Sequence, residues 1–297
     1  MQKIVPSIWF DQTAAEAAKF YTSVFPNARV TRVQHYPKTG LPEFQQQLAG
    51  KVLTVDFELN GHRFVAINAG PEFPVTPALS FMVNFDPSLD DAARSHLEEL
   101  WNALADSGQV MMPLGEYPFS PYYGWVQDRY CVGWQLILTD PAGELRPFIV
   151  PSLLFGAAAQ NRAAEAADFY TSVFPDAWRG TVANYPEPTG PATTESVMFG
   201  EIELFDQWFA LMDSGVDQPT TFSPGVSLII ECADQAEIDR YWAALSAVPE
   251  AEQCGWLIDR FGVSWQVIPV DLADHTATPE GYAALMQMKK IELDRFA

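Results

Sequence analysis

Two pairs of carboxylates lie two residues apart in apolar-alternating stretches, Asp56 and Glu58 among Leu53, Val55, Phe57 and Leu59, and Glu201 and Glu203 farther along. That spacing puts both members of a pair on one face of a strand, and in a cleft such a pair can do acid and base work. With the opposite face apolar, the simpler expectation is a half-buried strand whose Asp56 and Glu58 face solvent. The histidines do not converge in sequence: His35 ends a strand-like stretch, His62 follows an Asn60-Gly61 turn signal, His96 falls on a helix and His275 in the C-terminal tail. Each reads as structural or solvated rather than as a metal ligand. Cys254 has no histidine near it in sequence and is not expected to be a nucleophile.

The elements that must position such residues occur twice. Ile4-Val5-Pro6-Ser7 recurs as Ile149-Val150-Pro151-Ser152, and Ala15 to Pro26 recurs as Ala164 to Pro175 with eleven of twelve positions identical. Gly124-Trp125-Val126-Gln127-Asp128-Arg129-Tyr130 matches Gly255-Trp256-Leu257-Ile258-Asp259-Arg260-Phe261. The chain is therefore an internal duplication, from about Ile4 to Leu138 and from about Ile149 to Ile268. The domains expected are 1–140 and 146–270, followed by a tail over 271–297. The offset between copies falls from 149 at the first helix to 131 at the last block, which places insertions between the matched blocks. Met111 to Tyr123, carrying Pro113, Gly115, Pro118 and Pro121, is expected to be one such loop.

Within copy one the pattern reads strand Ile4 to Phe10, helix Thr13 to Val24 stopped by Pro26, strands Ala28 to Tyr36 and Val52 to Leu59, and a return strand to Asn68 after Asn60-Gly61. A second such run follows, with Leu97, Leu100, Trp101 and Leu104 at helical spacing and strands over Gly124 to Gln127 and Gly133 to Leu138. Each copy is two βαβββ units. In the tail, Thr278-Pro279-Glu280 starts a helix expected to run amphipathically to Phe296 and to dock on the body.

Length and composition agree with two globular domains: 297 residues, 48% hydrophobic and 19% charged. The net charge of −21, from 38 acidic and 17 basic residues, repels phosphate backbones and anionic bilayers, so neither nucleic acid nor membrane is an expected partner. Cys131, Cys232 and Cys254 form no C-x-x-C pair or disulfide framework, no stretch approaches eighteen apolar residues, and Met1-Gln2-Lys3 leads straight into a strand. A cytoplasmic protein is expected.

Two βαβββ units in about 140 residues, with Trp9-Phe10-Asp11, Phe20-Tyr21-Thr22-Ser23-Val24-Phe25, Asn60-Gly61-His62-Arg63-Phe64, Cys254 to Pro269 and Met288-Lys289-Lys290-Ile291, resemble the vicinal oxygen chelate superfamily of glyoxalase I, bleomycin resistance proteins and extradiol dioxygenases. The wording is similar to its PhnB-like subfamily, often labelled 3-demethylubiquinone-9 3-methyltransferase. The resemblance implies an α+β fold of tandem glyoxalase-like domains, each an open eight-stranded mixed-sheet cup closed within its own copy, the two halves forming an intrachain pseudo-dimer with room for further self-association. It also implies divalent-metal ligands on the strands lining each cup. Counting back from Phe20 puts Pro6 at the first of these places in copy one and the second unit puts Ala78 there, with Gln135 on the terminal strand and Asn68 the other polar candidate; copy two supplies Pro151, Gly225 and Gln266. Proline, alanine and glycine side chains bind no metal. The methyltransferase label lacks the glycine-rich strand-to-helix turn of a nucleotide-type cofactor site, because the first turn is Phe10-Asp11-Gln12-Thr13.

No metal and no cofactor is therefore expected, and no catalytic residue is assigned. An amide at a strand position facing the cup can both donate to and accept from a neutral ligand, which singles out Gln135 and Gln266. Phe10 and Phe155 share the parity of Pro6 and Pro151 and would wall the pocket, completing a candidate ligand set of Phe10, Asn68, Gln135, Phe155 and Gln266. Trp134 and Trp265, of opposite parity to the glutamines, belong to the core under a helix. The function expected is metal-free binding of a small organic molecule, of the sequestration or resistance type. The alternative is a metal-dependent lyase, isomerase or dioxygenase.

Overall fold

The computed structural model describes residues 2–296. Copy one runs β1 (Ile4–Phe10), α1 (Ala14–Val24), β2 (Arg29–His35), β3 (Val52–Leu59), β4 (His62–Asn68), then β5 (Leu79–Phe85), α2 (Ala93–Ala105), β6 (Gln109–Tyr117), β7 (Ser120–Gln127) and β8 (Gly133–Leu138). Copy two runs β9 (Ile149–Phe155), α3 (Ala163–Val173), β10 (Trp178–Asn184), β11 (Val197–Leu204), β12 (Gln207–Asp213), then β13 (Val226–Cys232), α4 (Gln235–Leu245), β14 (Trp256–Ile258) and β15 (Ser264–Pro269). The expected elements are present, and the Asn60-Gly61 turn between β3 and β4 takes the left-handed backbone that a two-residue hairpin requires.

Three βαβββ units and a fourth reduced to βαββ form, but their partners are exchanged. One sheet has the order β14-β15-β13-β1-β4-β3-β2, the other β10-β11-β12-β9-β5-β8-β7-β6. The first unit of copy one thus shares a sheet with the second unit of copy two, joined by antiparallel β1 and β13; the two middle units are joined by antiparallel β5 and β9. This corrects the expectation that each copy closes a cup on itself. One compact unit, here the terminal unit, draws on the chain up to Ser23, on Asn27–Pro74 and on the chain from Ser223 onward; the central unit comprises Val24–Pro26 and Val75–Phe222.

One face of each sheet is covered by its helices, for reasons visible in the residues. The buried positions of α1, Ala14, Ala17, Ala18 and Tyr21, and those of α3, Ala163, Ala166, Ala167 and Tyr170, form a mostly small stripe that lets the helix lie close to the sheet. Tyr21 stacks on Phe57 with ring centroids 5.9 Å apart. The first turn of each helix is tied down by the last residue of a neighbouring strand: the Ala14 N–H donates to Asn68 Oδ1 (2.9 Å) and the Ala163 N–H to Asp213 Oδ1 (3.0 Å). In the second units, Asp128 and Asp259 organise the turn before β8 and β15. Their Oδ1 atoms accept N–H groups of Val132 and Val263, and their Oδ2 atoms accept Nε1–H of the fully buried Trp134 and Trp265, both at 2.9 Å. The two tryptophans are core under a helix, as their parity implies.

Two local expectations are corrected. Met111 to Tyr123 is no loop: β6 and β7 form a hairpin whose register shifts three times, and Pro113 is accommodated because β6 is an edge strand. The shorter connection of copy two makes only one turn, Pro249–Ala251, so the terminal unit has seven strands rather than eight. In the tail, α5 (Leu272–His275) and α6 (Pro279–Met286) are short, with Thr278 Oγ1 capping α6 through the Gly281 N–H at 3.1 Å. The helix stops at Met286 rather than continuing to Phe296. Beyond it, the carbonyls of Met288 and Lys289 accept the N–H groups of Cys254 and Gly255 at 2.8 and 2.7 Å, so the docked tail pairs with the backbone just before edge strand β14. Among the described residues no helix is long and apolar enough to cross a membrane.

Because both inter-unit junctions join the two copies, cutting the exposed turn at Pro141–Gly143 should leave the fragments associated on size-exclusion chromatography with an unchanged near-UV spectrum. Either fragment expressed alone should fail to show that spectrum. A separately folded, monomeric 1–140 fragment would disprove the exchanged pairing.

Candidate functional site

The face of the terminal unit turned away from α1 and α4, termed helix-free although α5 and α6 of the tail meet its Arg32 and Cys254, carries a short row of polar side chains across its central junction. Register places Ser7 of β1 opposite Ser227 of β13, and Ile229 of β13 opposite Gln266 of β15, so Ser7, Ser227 and Gln266 share one face. Gln266 Nε2 donates to Ser227 Oγ at 3.0 Å, while Ser7 Oγ, in a residue only 1% exposed, is buried without a hydrogen-bond partner. Gln266 Oε1 accepts from no described residue. A buried hydroxyl without a partner costs about 1–3 kcal/mol. Trp9 and Trp256 stand on the same face, edge to face at 5.6 Å, and Phe73 from the β4–β5 connection meets Trp9 at 5.0 Å.

The central unit repeats the row with its partners filled. Ser80 of β5 lies opposite Ser152 of β9, and Gln135 Nε2 donates to Ser80 Oγ at 2.9 Å and Ser152 Oγ at 3.3 Å. Tyr123 Oη completes the network by donating to Gln135 Oε1 at 2.7 Å. Its burial pushes the phenol pKa well up, which keeps the proton that this bond requires. The atom of this face left over is Trp125 Nε1, a buried donor without a partner.

The carboxylates expected in solvent lie on these same faces. Asp56 is opposite Val65, which is opposite Ser7; Glu201 is opposite Ala210, which is opposite Ser152. Asp56 is half-buried, and burial raises its pKa against the lowering influence of Arg32 and Arg63. Arg63 is engaged elsewhere, forked onto Glu231 at 2.9 and 2.8 Å, and Asp56 accepts no hydrogen bond from a described residue. Glu201 is forked by Arg146 at 2.9 and 3.0 Å, with the guanidinium 4.2 Å over the Trp208 ring. Glu58 pairs with Arg29 at 2.8 Å.

The sequence-predicted ligand set is therefore divided. Gln135 and Gln266 lie on the helix-free faces. Phe10, opposite Asn68, and Phe155, opposite Asp213, take the other face, where Asn68 and Asp213 hold helix N-termini. Phe10 and Phe155 are thus on the opposite face from Gln266 and Gln135 rather than beside them. Pro6 and Pro151 share that helix side, one residue away from Ser7 and Ser152, whereas Ala78 and Gly225 precede their strands by one residue and lie two short of Ser80 and Ser227. The serines were missed, although Ile-Val-Pro-Ser repeats in both copies. Cys254 gives its thiol to the Leu285 carbonyl, and burial raises its pKa. His62 sits 3.2 Å from Gln2 Nε2 and against Phe64, His96 bonds Asp90 and His275 stacks on Phe296.

Hydroxyls and one amide are neutral donors that do not fit a divalent transition ion, and among the described residues no three His, Cys, Asp or Glu side chains are grouped to hold one. A cavity of about 310 Å³ in the terminal unit lies on the helix side, lined by Gln12, Ala15, His35, Leu48, Lys51 and Asn68 among others. Among its polar groups, Lys51 Nζ bonds Gln12 Oε1 and both ends of the Asn68 amide are engaged.

Comparison with known proteins agrees with this architecture. The model of the 3-demethylubiquinone-9 3-methyltransferase family matches residues 2–137 and again 147–268, so the chain belongs to that family, twice over. No curated protein matches the sequence. Among solved structures, the PhnB protein of Bacillus cereus, named for the same methyltransferase, is 33% identical over 46% of this chain and 100% of its own, with a TM-score of 0.40. Glyoxalase I of Zea mays covers 90% of this chain and 94% of its own at 10% identity and a TM-score of 0.55, which shows a shared fold of the vicinal oxygen chelate kind.

Two outcomes follow from this chemistry. Burial lowers the His62 pKa to about 4, so the unfolded chain binds a proton there before the native one does. Stability should fall as pH drops from about 6.5 toward 4, by up to about 3 kcal/mol from this residue; urea midpoints at pH 7.5 and 4.5 should differ less in His62→Gln. Elemental analysis of tag-free protein should find no stoichiometric zinc, nickel, iron or manganese. Such a metal, lost in Gln266→Leu, would overturn the neutral-donor reading.

Proposed function

We propose that this member of the 3-demethylubiquinone-9 3-methyltransferase family is a small-molecule binding protein that captures its ligand on the helix-free face of the terminal unit and does not turn it over. The observation that carries this reading is the buried Ser7 hydroxyl left without a partner beside Gln266, at a junction whose counterpart in the central unit is fully bonded. A neutral polar group of a ligand placed there would give Ser7 its partner and accept or donate at the Gln266 amide. Trp9 and Trp256, in edge-to-face contact on this face, supply apolar surface beside it.

Entry requires a ring to move, because Ser7 is covered in this state. Phe73 is the least held of the three aromatics, 40% exposed on the β4–β5 connection. Methyl transfer has less support: the β1–α1 turn is not glycine-rich, and the first helical N–H is already taken by Asn68. The neutral donor set argues equally against metal-assisted lyase, isomerase or dioxygenase chemistry.

Thermal-shift screening of aromatic amides and alcohols against the full chain should return ligands that stabilise it. One present at about a hundredfold its Kd contributes about 2.7 kcal/mol, a rise of several degrees in melting temperature. The rise should disappear in Ser7→Val and Gln266→Leu and persist in Gln135→Leu. Equal shifts in all four proteins would sink the proposed site.

A further inference from the structure

Resting on that binding reading, we infer that the central unit is a self-filled copy of the site and shows by its own side chains what the ligand of the terminal unit must carry: a hydroxyl donor for Gln266 and a cation for Asp56. The two faces correspond residue by residue through strand register. Ser152, Gln135 and Glu201 of the central unit occupy the places of Ser7, Gln266 and Asp56 in the terminal one.

In the central unit each of these has a partner from the chain. Tyr123 Oη donates to Gln135 Oε1, which orients the amide so that its nitrogen reaches both serines. Arg146, from the segment joining the copies, neutralises Glu201 with two hydrogen bonds and lies on Trp208. Such a bidentate, charge-assisted fork gives a buried carboxylate both a counter-ion and hydrogen bonds.

Among the described residues of the terminal unit neither hydrogen-bonding partner is present, although the charges of Arg32 and Arg63 act on Asp56. The residue matching Tyr123 is Cys254, whose thiol is turned to the Leu285 carbonyl. The place of Trp208 is taken by Arg63, which is opposite Glu58 as Trp208 is opposite Glu203, and its fork goes to Glu231. Arg32, the cross-strand neighbour of Asp56, makes no hydrogen bond to it and reaches toward Asp274 instead, at 3.9 Å. The result is an amide oxygen and a half-buried carboxylate without hydrogen bonds, together with the unpartnered Ser7 hydroxyl. Asp56 and Ser7 are two strands apart, about 10 Å along the sheet at the usual strand spacing. The ligand class that meets all three is a molecule with a hydroxyl, phenolic for preference, and an ammonium or guanidinium group at the far end of a flat or apolar body. One such ligand binds per chain, because the central unit already contains its equivalent.

Fragments on 15N-labelled full-length protein test each half of this chemistry against a matched comparator. Expected is a saturable shift of the Gln266 side-chain amide and Trp256 indole signals with p-cresol but not with toluene. Ethylguanidinium, but not ethylurea, should shift the Val65 amide. Gln135 signals should stay in place throughout. In Gln266→Leu the p-cresol affinity read at Trp256, and in the isosteric Asp56→Asn the ethylguanidinium affinity read at Val65, should weaken about tenfold or more. The wild-type comparator pairs keep the test decisive if a variant is unstable. Toluene matching p-cresol, or ethylurea matching ethylguanidinium, at the terminal unit would overturn the assigned ligand chemistry and leave the binding reading standing. Gln135 shifting as strongly as Gln266 would overturn the self-filled role of the central unit. No binding of any fragment or screened compound at the terminal unit would bring down both.

Discussion

The antiparallel junction between first strands is the constraint on which the rest depends. β1 meets β13, and β5 meets β9, each over five residue pairs, and no sheet here can be completed without one of these junctions. Without it, each three- or four-stranded half-sheet would present an unpaired edge in the middle of what is now a continuous sheet, with its N–H and C=O groups exposed. The same register sets the chemistry, since it is the junction that brings Ser7 beside Ser227 and Ser80 beside Ser152, at the one line where residues from different copies share a face.

What repeats most strongly in the sequence builds the opposite face. The Ala-rich stripes with Tyr21 and Tyr170 are helix surfaces, and the Gly-Trp-x-x-Asp-Arg blocks end in carboxylates that bind a turn and a buried indole together. A hydrogen bond to a charged acceptor is worth about 1.5–3 kcal/mol, and each of these aspartates collects several. Such words persist between copies because the packing behind them has no alternative partner. The positions that differ, Tyr123 against Cys254 and Trp208 against Arg63, lie on the helix-free face, where a substitution changes what is left unbonded without disturbing the core.

Much of the fold was legible because helical spacing, the Asn60-Gly61 turn and the duplicated blocks are local signals. The exchange of partners was not, because two copies present nearly equivalent edges and sequence carries no label for which one a strand meets. The β6 strand was hidden by its proline and glycine, which an edge strand with shifted register tolerates. The site was half legible. Gln135 and Gln266 stand in strands whose alternation is clear, but reaching β1 by counting back from α1 gave Pro6 rather than Ser7, and an error of one residue moves a side chain through the sheet. Phe10 and Phe155 share the parity of Pro6 and Pro151 and so take the helix side with them, and Asp56 was expected in solvent because a polar strand face looks the same whether it meets water or a neighbouring ion cluster.

Covalent duplication is what allows the two faces to differ. In a symmetric pair of single-copy chains, every substitution appears in both shared sheets, so a tyrosine that fills one site fills the other. Here Tyr123 and Cys254 occupy corresponding positions in one chain, and Arg146 comes from the segment that links β8 to β9. The central unit could therefore give its serine pair, Gln135 and Glu201 partners of their own, while Ser7, the Gln266 oxygen and Asp56 of the terminal unit were left open. An unsatisfied hydroxyl and carboxylate are a standing cost of order a kilocalorie per mole or more. A sheet that had no use for them could remove that cost with the substitutions its twin already carries, and the terminal unit does not carry them.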